Sequence, residues 1–573
     1  MRMARLGVLL DQSEAERRWM YGLNVFAYYI EEILAHAGIP FERVEDISEV
    51  ESGAFDILIA GLVKDDTVST SVLWNYVEQG GELVSFASLN ALATRLGCIW
   101  SERASVGYAS FGPYYDKAES IRYLQASPWQ PIAAANAYLQ EEVGELHRGE
   151  QAGAVIGAAL QRFQIGDGYF DRWAVDIPAT IVGFQQGSSP VLEDGVPALD
   201  GSAPINEGIL KADDRIEMDW EHDRLYTKTG NPYFAYPYAD LWRELFIGRL
   251  LRKAVDHGLT LPFVGFWPDG VEHVATISHD SDGNVADDAL ATLAILEELK
   301  IQSTWCMIEP GYSKAMYDQI KQAGHELALH YNALDLDNGV WGSEEFDRQL
   351  SFFRQAAAID RVTSNKNHLT RFEGWGELFE WCEVNAVESD QTRGPSKKGN
   401  VGFLFGTCHP YFPVAWSNDR NRIYDVLEIG FLTQDLDLAS YWSDSSVIVP
   451  FLEAVSKVEG VAHFLVHQAH IGTQETVRNS FRQIVAEARR RGYAIWTAKE
   501  INDWERARRK IRITDSKDMK AALELGMPLT AHAVIWNPVA DSYAPRAWET
   551  METRYGVRCL KQLLSVTGNV DVK

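Results

Sequence analysis

From Val274 to Thr497 short apolar runs alternate with stretches of helical periodicity, and this beat constrains the fold more than any other feature of the chain. Val274–Ser278, Ser303–Ile308, Glu326–His330, Ser364–His368, Val387–Ser389, Val426–Gly430, Ala462–His467 and Tyr493–Thr497 read as strands. Between them Ala286, Leu290 and Leu293 fall at helical spacing, and Ser313–Ala323, Glu344–Ala358, Trp375–Val384, Val447–Val458 and Glu475–Arg491 read as helices. Strands joined through helices pair in parallel, because a parallel pair needs a long crossover. A barrel-like run of βα units is therefore expected, with its chemistry gathered where the strands end.

The first hundred residues follow a similar grammar. Arg5–Asp11, Asp56–Gly61 and Glu82–Ser88 read as strands, and Asn24–Ala37 and Ser71–Gln79 as helices. Such alternation predicts an open, parallel α/β sheet. From about Ser101 to Pro262 the pattern loosens into Gly- and aromatic-rich stretches that predict several short strands, then a helix over Ala239–Asp256. The prolines and glycines of LPFVGFWPDG (Leu261–Gly270) mark a boundary. Three parts are expected: residues 1–262, 263–510 and 511–573, the last a small, partly β extension containing the strand-like His532–Pro538.

At 573 residues, 46% hydrophobic and 23% charged, the chain has ordinary globular composition and enough length for two or three cores. A formal charge of −28, with no basic run beyond Arg489–Arg491, argues against nucleic acid as a partner. No apolar run approaches the ~18 residues that a membrane helix needs. The start, MRMARLGVLLDQSEAERRW, lacks the core of a signal peptide, so a cytoplasmic protein is expected. Five cysteines without a CxxC pair fit reduced, buried thiols.

Polar, metal-capable residues gather at the ends of the expected strands. SHDSDG (Ser278–Gly283) ends one, His330 another, NHLTRF with His368 and Arg371 a third, and HFLVHQAH with His467 and His470 a late one. Two imidazoles and a carboxylate match the three protein ligands of a catalytic Zn²⁺, and a further Asp and His would supply base and acid. His463, His470, His409 and His325 are read as structural. Most of the aromatics are read as core, with Trp305 and Trp375 as candidates for lining a pocket.

The segment from about Val271 to Lys510 resembles the NodB-homology polysaccharide deacetylases, carbohydrate esterases with a distorted (β/α) barrel. SHDSDG is similar to their first motif, in which a general-base aspartate precedes a metal-binding aspartate and glycine. That implies Asp280 as base and Asp282 as ligand, although the two are usually adjacent and Ser281 separates them here, so their roles could be exchanged or shared. AGHELALH resembles the start of the second motif and implies His330 as a ligand. FLVHQ resembles the last motif, on Leu465 and His467, and implies His467 as the acid. GYAIWTAKEINDW (Gly492–Trp504) is similar to the segment that closes those domains. The usual second metal residue four positions after His330 is Leu334, so the third ligand comes from elsewhere; NHLTRF with DQTRG (Asp390–Gly394) and GFLFGTCHP (Gly402–Pro410) resembles a subgroup of deacetylase-like proteins with a His-containing third motif, which implies His368, with Asp335 or Asp337 as the alternative. Arg371 is expected to hold Asp280 ionised, and Asp390 and Glu428 to orient other site residues.

The resemblance implies Zn²⁺ or another divalent metal, an N-acetylated carbohydrate as substrate, and hydrolysis of the N-acetyl amide. The same machinery could cleave another amide or an O-acetyl ester, and a barrel that had lost catalysis would leave a carbohydrate-binding scaffold. The first part resembles the class I glutamine-amidotransferase-like, flavodoxin-like domains. Their active members carry a nucleophilic Cys at the turn after the strand corresponding to Glu82–Ser88; here that turn reads SFASLNAL and Cys98 lies beyond it, which implies a docking or structural module.

Overall fold

A computed structural model describes the chain except for residues 51–52, 133–135, 207, 338, 439–442, 514–520, 523–532 and 565–573. It is a mixed α/β protein built on two large sheets.

The first sheet has nine strands: β1 (Leu6–Leu10), β2 (Glu42–Val44), β3 (Ile57–Leu62), β4 (Glu82–Phe86), β5 (Gly107–Ser110), β6 (Ile121–Tyr123), β7 (Leu139–Arg148), β8 (Val155–Ile165) and β9 (Gly168–Trp173). Their order is β2-β1-β3-β4-β9-β8-β7-β5-β6. The expected parallel strands form one half of this sheet. The region after Ser101 contributes the expected short strands, β5 and β6 among them, and also long antiparallel β7 and β8, which lead into β9; β9 joins β4 in parallel with Phe86 opposite Trp173. The helix Gln12–Met20, capped by Asp11, has no apolar period, and sequence reading left it out. Cys98 is buried beyond β4, and burial pushes its thiol up to about 11.

Next come β10 (Phe263–Val264), β11 (His273–Asp280), β12 (Thr304–Met307), β13 (Glu326–Tyr331), β14 (Ser364–Asn367), β15 (Ser389–Asp390), β16 (Leu427–Glu428), β17 (Val461–Leu465) and β18 (Tyr493–Ile495). From β11 on they make one parallel sheet, ordered β16-β15-β14-β13-β12-β11-β17, with β18 pairing the start of β11. The sheet curls on itself. The chain after β16 reaches β17 at the opposite edge, where Leu432 N–H donates to His463 O at 2.9 Å and Leu465 N–H to Thr433 O at 3.0 Å.

The end of the chain returns to the expected boundary. In β19 (Ala533–Pro538), Trp536 pairs with Phe263 of β10, and β20 (Thr550–Arg554) and β21 (Val557–Leu564) complete a four-stranded sheet. His532, which begins the strand-like run in the sequence, lies outside the described residues. Packing is continuous across the boundary: one apolar cluster contains residues of both large sheets. Buried Glu32 takes Arg509 Nη2 at 2.9 Å, and backbone bridges join Val191 to Gly374 and Lys211 to Arg371.

Candidate metal and catalytic site

Alternation along β11 sets the site's first residues. Ser278 and Asp280 face the interior of the curled sheet, while His279 faces outward against Trp305 and Phe481 of the helix Glu475–Arg490. Asp282 does not share this strand. The chain turns after Asp280, with Ser281 N–H donating to Cys306 O at 3.1 Å and Asn284 N–H to Ser281 O at 2.8 Å. Asp282 and Asn284 take left-handed backbone, φ 23° and 49°, a region that Asp and Asn tolerate better than most residues. A tight turn, not strand periodicity, brings the second carboxylate back beside the first.

Around Asp282 three donor atoms converge. His330, at the end of β13, is fully buried; its Nδ1–H donates to Lys366 O at 2.9 Å, which turns Nε2 toward Asp282, 3.4 Å from its Oδ1. His368 follows β14, with Nδ1 3.3 Å from Asn332 Oδ1 and Nε2 3.9 Å from Asp282 Oδ1. Ligand atoms of Asp282, His330 and His368 all lie within 4.8 Å of one another. The fallback residues face elsewhere: the Asp335 side chain is 88% exposed against Arg371, and Asp337 accepts from Asn332 Nδ2 at 3.0 Å.

Asp280 and His467 flank this trio. Asp280 Oδ2 is 3.7 Å from His330 Nε2 and 3.9 Å from His467 Nε2, and that same nitrogen is 3.7 Å from Asp282 Oδ2. His467 is gripped from behind by Asp435, whose carboxylate accepts its backbone N–H at 2.8 Å and its Nδ1–H at 2.5 Å. His470 Nδ1 lies 3.0 Å from the same carboxylate. Expected to be structural, His470 is thus drawn to the edge of the site.

The charges follow from these contacts. Burial opposes the Asp280 carboxylate, but Lys366, His330 and His467 outweigh it and hold the group below its ordinary value. Asp282 is depressed in the same way, by His330 above all, then His467 and His368. Burial and then His330 pull the His368 imidazole down to about 4, so it is neutral and free to offer a lone pair. Burial also opposes charge on His467, yet Asp435 and Asp282 push it up to about 10, so it carries a proton at neutral pH.

Four expectations are corrected. Arg371 does not reach Asp280; its guanidinium binds Ala333 O and Glu373 and faces Asp335. The cation against Asp280 is Lys366, on β14, with Nζ 3.3 Å from Asp280 Oδ1 and 2.6 Å from Ser278 Oγ. Trp305 does not line a pocket, because it sits on the outer face of the sheet with its indole N–H on Ser303 Oγ at 3.1 Å. Trp375 is equally committed: it donates to Val414 O at 2.7 Å, stacks on Phe26 and packs against Trp416. Asp390 accepts from Asn365 Nδ2 and the Thr392 hydroxyl, and Glu428 from the Arg393 N–H, rather than from a site histidine.

Sequence reading missed Lys366 and Asp435. A signal for the first existed: a strand reading SNKN is polar throughout, whereas buried parallel strands are ordinarily apolar runs. Asp435 follows a two-residue strand that sequence alone marks weakly. Lys211, from the first part of the chain, had no signal. A cavity of about 60 Å³ opens beside the trio, lined by Lys211, Asp280, Lys366, His368, Gln434 and His467 among others.

The donor set fits a divalent cation. His330 Nε2 and Asp282 Oδ1 are buried atoms with no hydrogen-bond partner among the described residues, and such atoms are rare without a reason. His330 and His368 each have their Nδ1 beside a protein oxygen, the outer support expected around a metal ligand.

No protein-family model matches this sequence, and no curated protein matches it. Among solved structures, a candidate polysaccharide deacetylase from Mycobacterium smegmatis aligns over 42% of this chain and 92% of its own, at 15% identity and a TM-score of 0.32. PuuE allantoinase aligns over 42% and 91%, at 10% identity and 0.31. T48 deacetylase, solved with substrate, aligns over 40% and 90%, at 10% identity and 0.24. These values are too low for function to pass from those proteins to this one.

Proposed function

We propose that the curled parallel sheet carries a metal-dependent amide hydrolase that removes the acetyl group from an N-acetylated sugar or a close relative. One observation carries the reading: the orphaned ligand atoms of His330 and Asp282 stand beside His368, with a carboxylate base and a protonated histidine on either side. Asp282, His330 and His368 would hold the ion, which supplies Lewis acidity toward a carbonyl oxygen and a nucleophilic water.

The side chains have defined tasks. Asp280, kept ionised by Lys366, accepts the proton of the attacking water. His467, kept protonated and fixed in orientation by Asp435, gives its proton to the leaving nitrogen; without that step the tetrahedral intermediate would expel water instead. An acid and a base on one carbonyl suit amide cleavage, since an amine leaves only once protonated.

The test is metal content and acetate release on a panel of N-acetylated sugars, for wild type beside Asp282→Ala and His368→Ala. The reading expects about one divalent ion per chain, as a single three-ligand site holds, and loss of both metal and activity in each variant. A wild-type protein that binds no metal and releases no acetate would sink it and leave the scaffold reading in its place. The proposed organisation keeps residues 263–510 as the catalytic part, with 1–262 packed against its mouth.

A further inference from the structure

Lys211 is a buried lysine with an unused charge. It is 2% exposed and lines the cavity together with Asp280, Lys366, His368 and His467. Among the described residues its ammonium makes neither a hydrogen bond nor an ion pair, whereas buried lysines are ordinarily paired.

Its backbone is tied down on both sides. The N–H donates to Asp214 Oδ2 at 2.7 Å, and a strand-like bridge joins it to Arg371. The neighbouring carboxylates hydrogen-bond other groups, and neither comes within ion-pair distance of the Lys211 ammonium. Asp213 Oδ2 accepts from Ser396 Oγ and Asn400 Nδ2, both at 2.8 Å, and Lys397 Nζ faces Asp213 and Asp214 at 4.0 and 3.9 Å. The cavity's other lysine, Lys366, is neutralised by Asp280. The Lys211 ammonium stands in the cavity wall with Asp213 and Asp214 as nearby carboxylates but no direct partner within ion-pair distance among the described residues. An unpaired buried cation is costly unless something anionic enters to meet it.

We infer that Lys211 recognises an anionic substituent, a carboxylate or a phosphate, on the substrate, so that the first part of the chain sets specificity for chemistry performed by the second. The inference rests on the proposed deacetylase reading, naming the class of N-acyl substrate it prefers. Of the remaining lining residues Asn367, Thr370, Ser396 and Gln434 are polar and suit a hydroxylated ligand, and Leu369 and Leu465 are apolar.

The experiment compares kcat/KM of the metal-loaded full-length protein on N-acetylglucosamine, N-acetylmuramic acid and N-acetylglucosamine 6-phosphate, for wild type, Lys211→Met and Lys211→Arg. Wild type should favour at least one of the two anionic substrates over the neutral one, and which of them it favours tells carboxylate from phosphate. Lys211→Met should cut that preference on the order of 10- to 100-fold, the worth of a charged hydrogen bond, and Lys211→Arg should keep most of it. Equal loss on neutral and anionic substrates would place Lys211 at the reaction centre and overturn the inference, as would a wild type that prefers the neutral sugar.

A second arm needs no turnover. Calorimetric binding of muramic acid and glucosamine 6-phosphate, each against glucosamine, should show a charge-dependent affinity in wild type that Lys211→Met loses. Acetate release without this dependence defeats the inference alone; the dependence without acetate release defeats the deacetylase reading alone. Melting temperatures of the variants confirm that they fold.

Discussion

Lys366 and Asp280 meet inside the curled sheet, Nζ to Oδ1 at 3.3 Å, although 86 positions separate them in the chain (366 minus 280). Lys366 is 1% exposed, its ammonium lies over the Phe431 ring at 5.2 Å from the ring centre, and it also contacts Ser278 Oγ. In the proposed reaction the pair is the proton acceptor, kept charged despite burial. Lys366→Met leaves Asp280 buried without that cation, and kcat should fall by about 10²-fold or more, the scale of a lost general base. Metal content should stay at the wild-type level, because Lys366 offers the trio only its backbone carbonyl. A variant that loses metal and activity together would show that Lys366 supports the ligand site instead.

Asp435 should matter as much as His467 itself. It fixes both the backbone and the ring of His467 and supplies the largest support for its proton. Asp435→Asn is nearly isosteric yet removes the negative charge, so kcat should drop on the order of 10²- to 10⁴-fold. Binding of substrate should change little, so steady-state kinetics that show a raised KM with kcat intact would contradict the assignment.

The third ligand can be decided by metal analysis. His368→Ala should reduce the bound metal to a small fraction of wild type, and Asp335→Ala should leave it unchanged, since the Asp335 side chain is 88% exposed and turned toward Arg371. Metal retained in His368→Ala and lost in Asp335→Ala would reverse the choice.

Glu326 gives a stability prediction separate from catalysis. Burial raises its carboxyl from 4.5 to about 7, against the pull of the Thr304 hydroxyl at 2.7 Å and the Lys499 N–H at 2.8 Å. The folded state then holds a proton that the unfolded chain releases earlier. Its contribution is fully present below about 4.5 and is lost as pH rises through about 7. A tenfold change in proton affinity corresponds to about 1.4 kcal/mol, so Glu326→Gln should be more stable than wild type at pH 8 by roughly 2–4 kcal/mol and gain nothing at pH 4. Denaturant melts at the two pH values check this; a constant difference would refute it.

Much of the architecture was legible because it is local. The βα beat, the strand ends at Asp280, His330, His368 and His467, and the helix Tyr238–Asp256 all follow from periodicity and residue type over a few positions. The weak points were also local: strands of two residues, such as β15 and β16, carry almost no pattern, and the helix Gln12–Met20 lacks an apolar stripe.

By itself the sequence determined which side chains stand at the ends of the strands, since alternation and length are properties of the chain. Only the tertiary structure decided what they touch. Parallel register sets His330 opposite Lys366 and so hands the cation's role to a lysine rather than to Arg371. The turn at Asp282 swings a carboxylate off the strand and back toward His330. Curling of the sheet brings Asp435 to His467, and packing of the first part against the sheet brings Lys211 to the cavity that His467 lines. Each of these depends on register, curvature or packing between distant segments, and short-range periodicity carries no information about them.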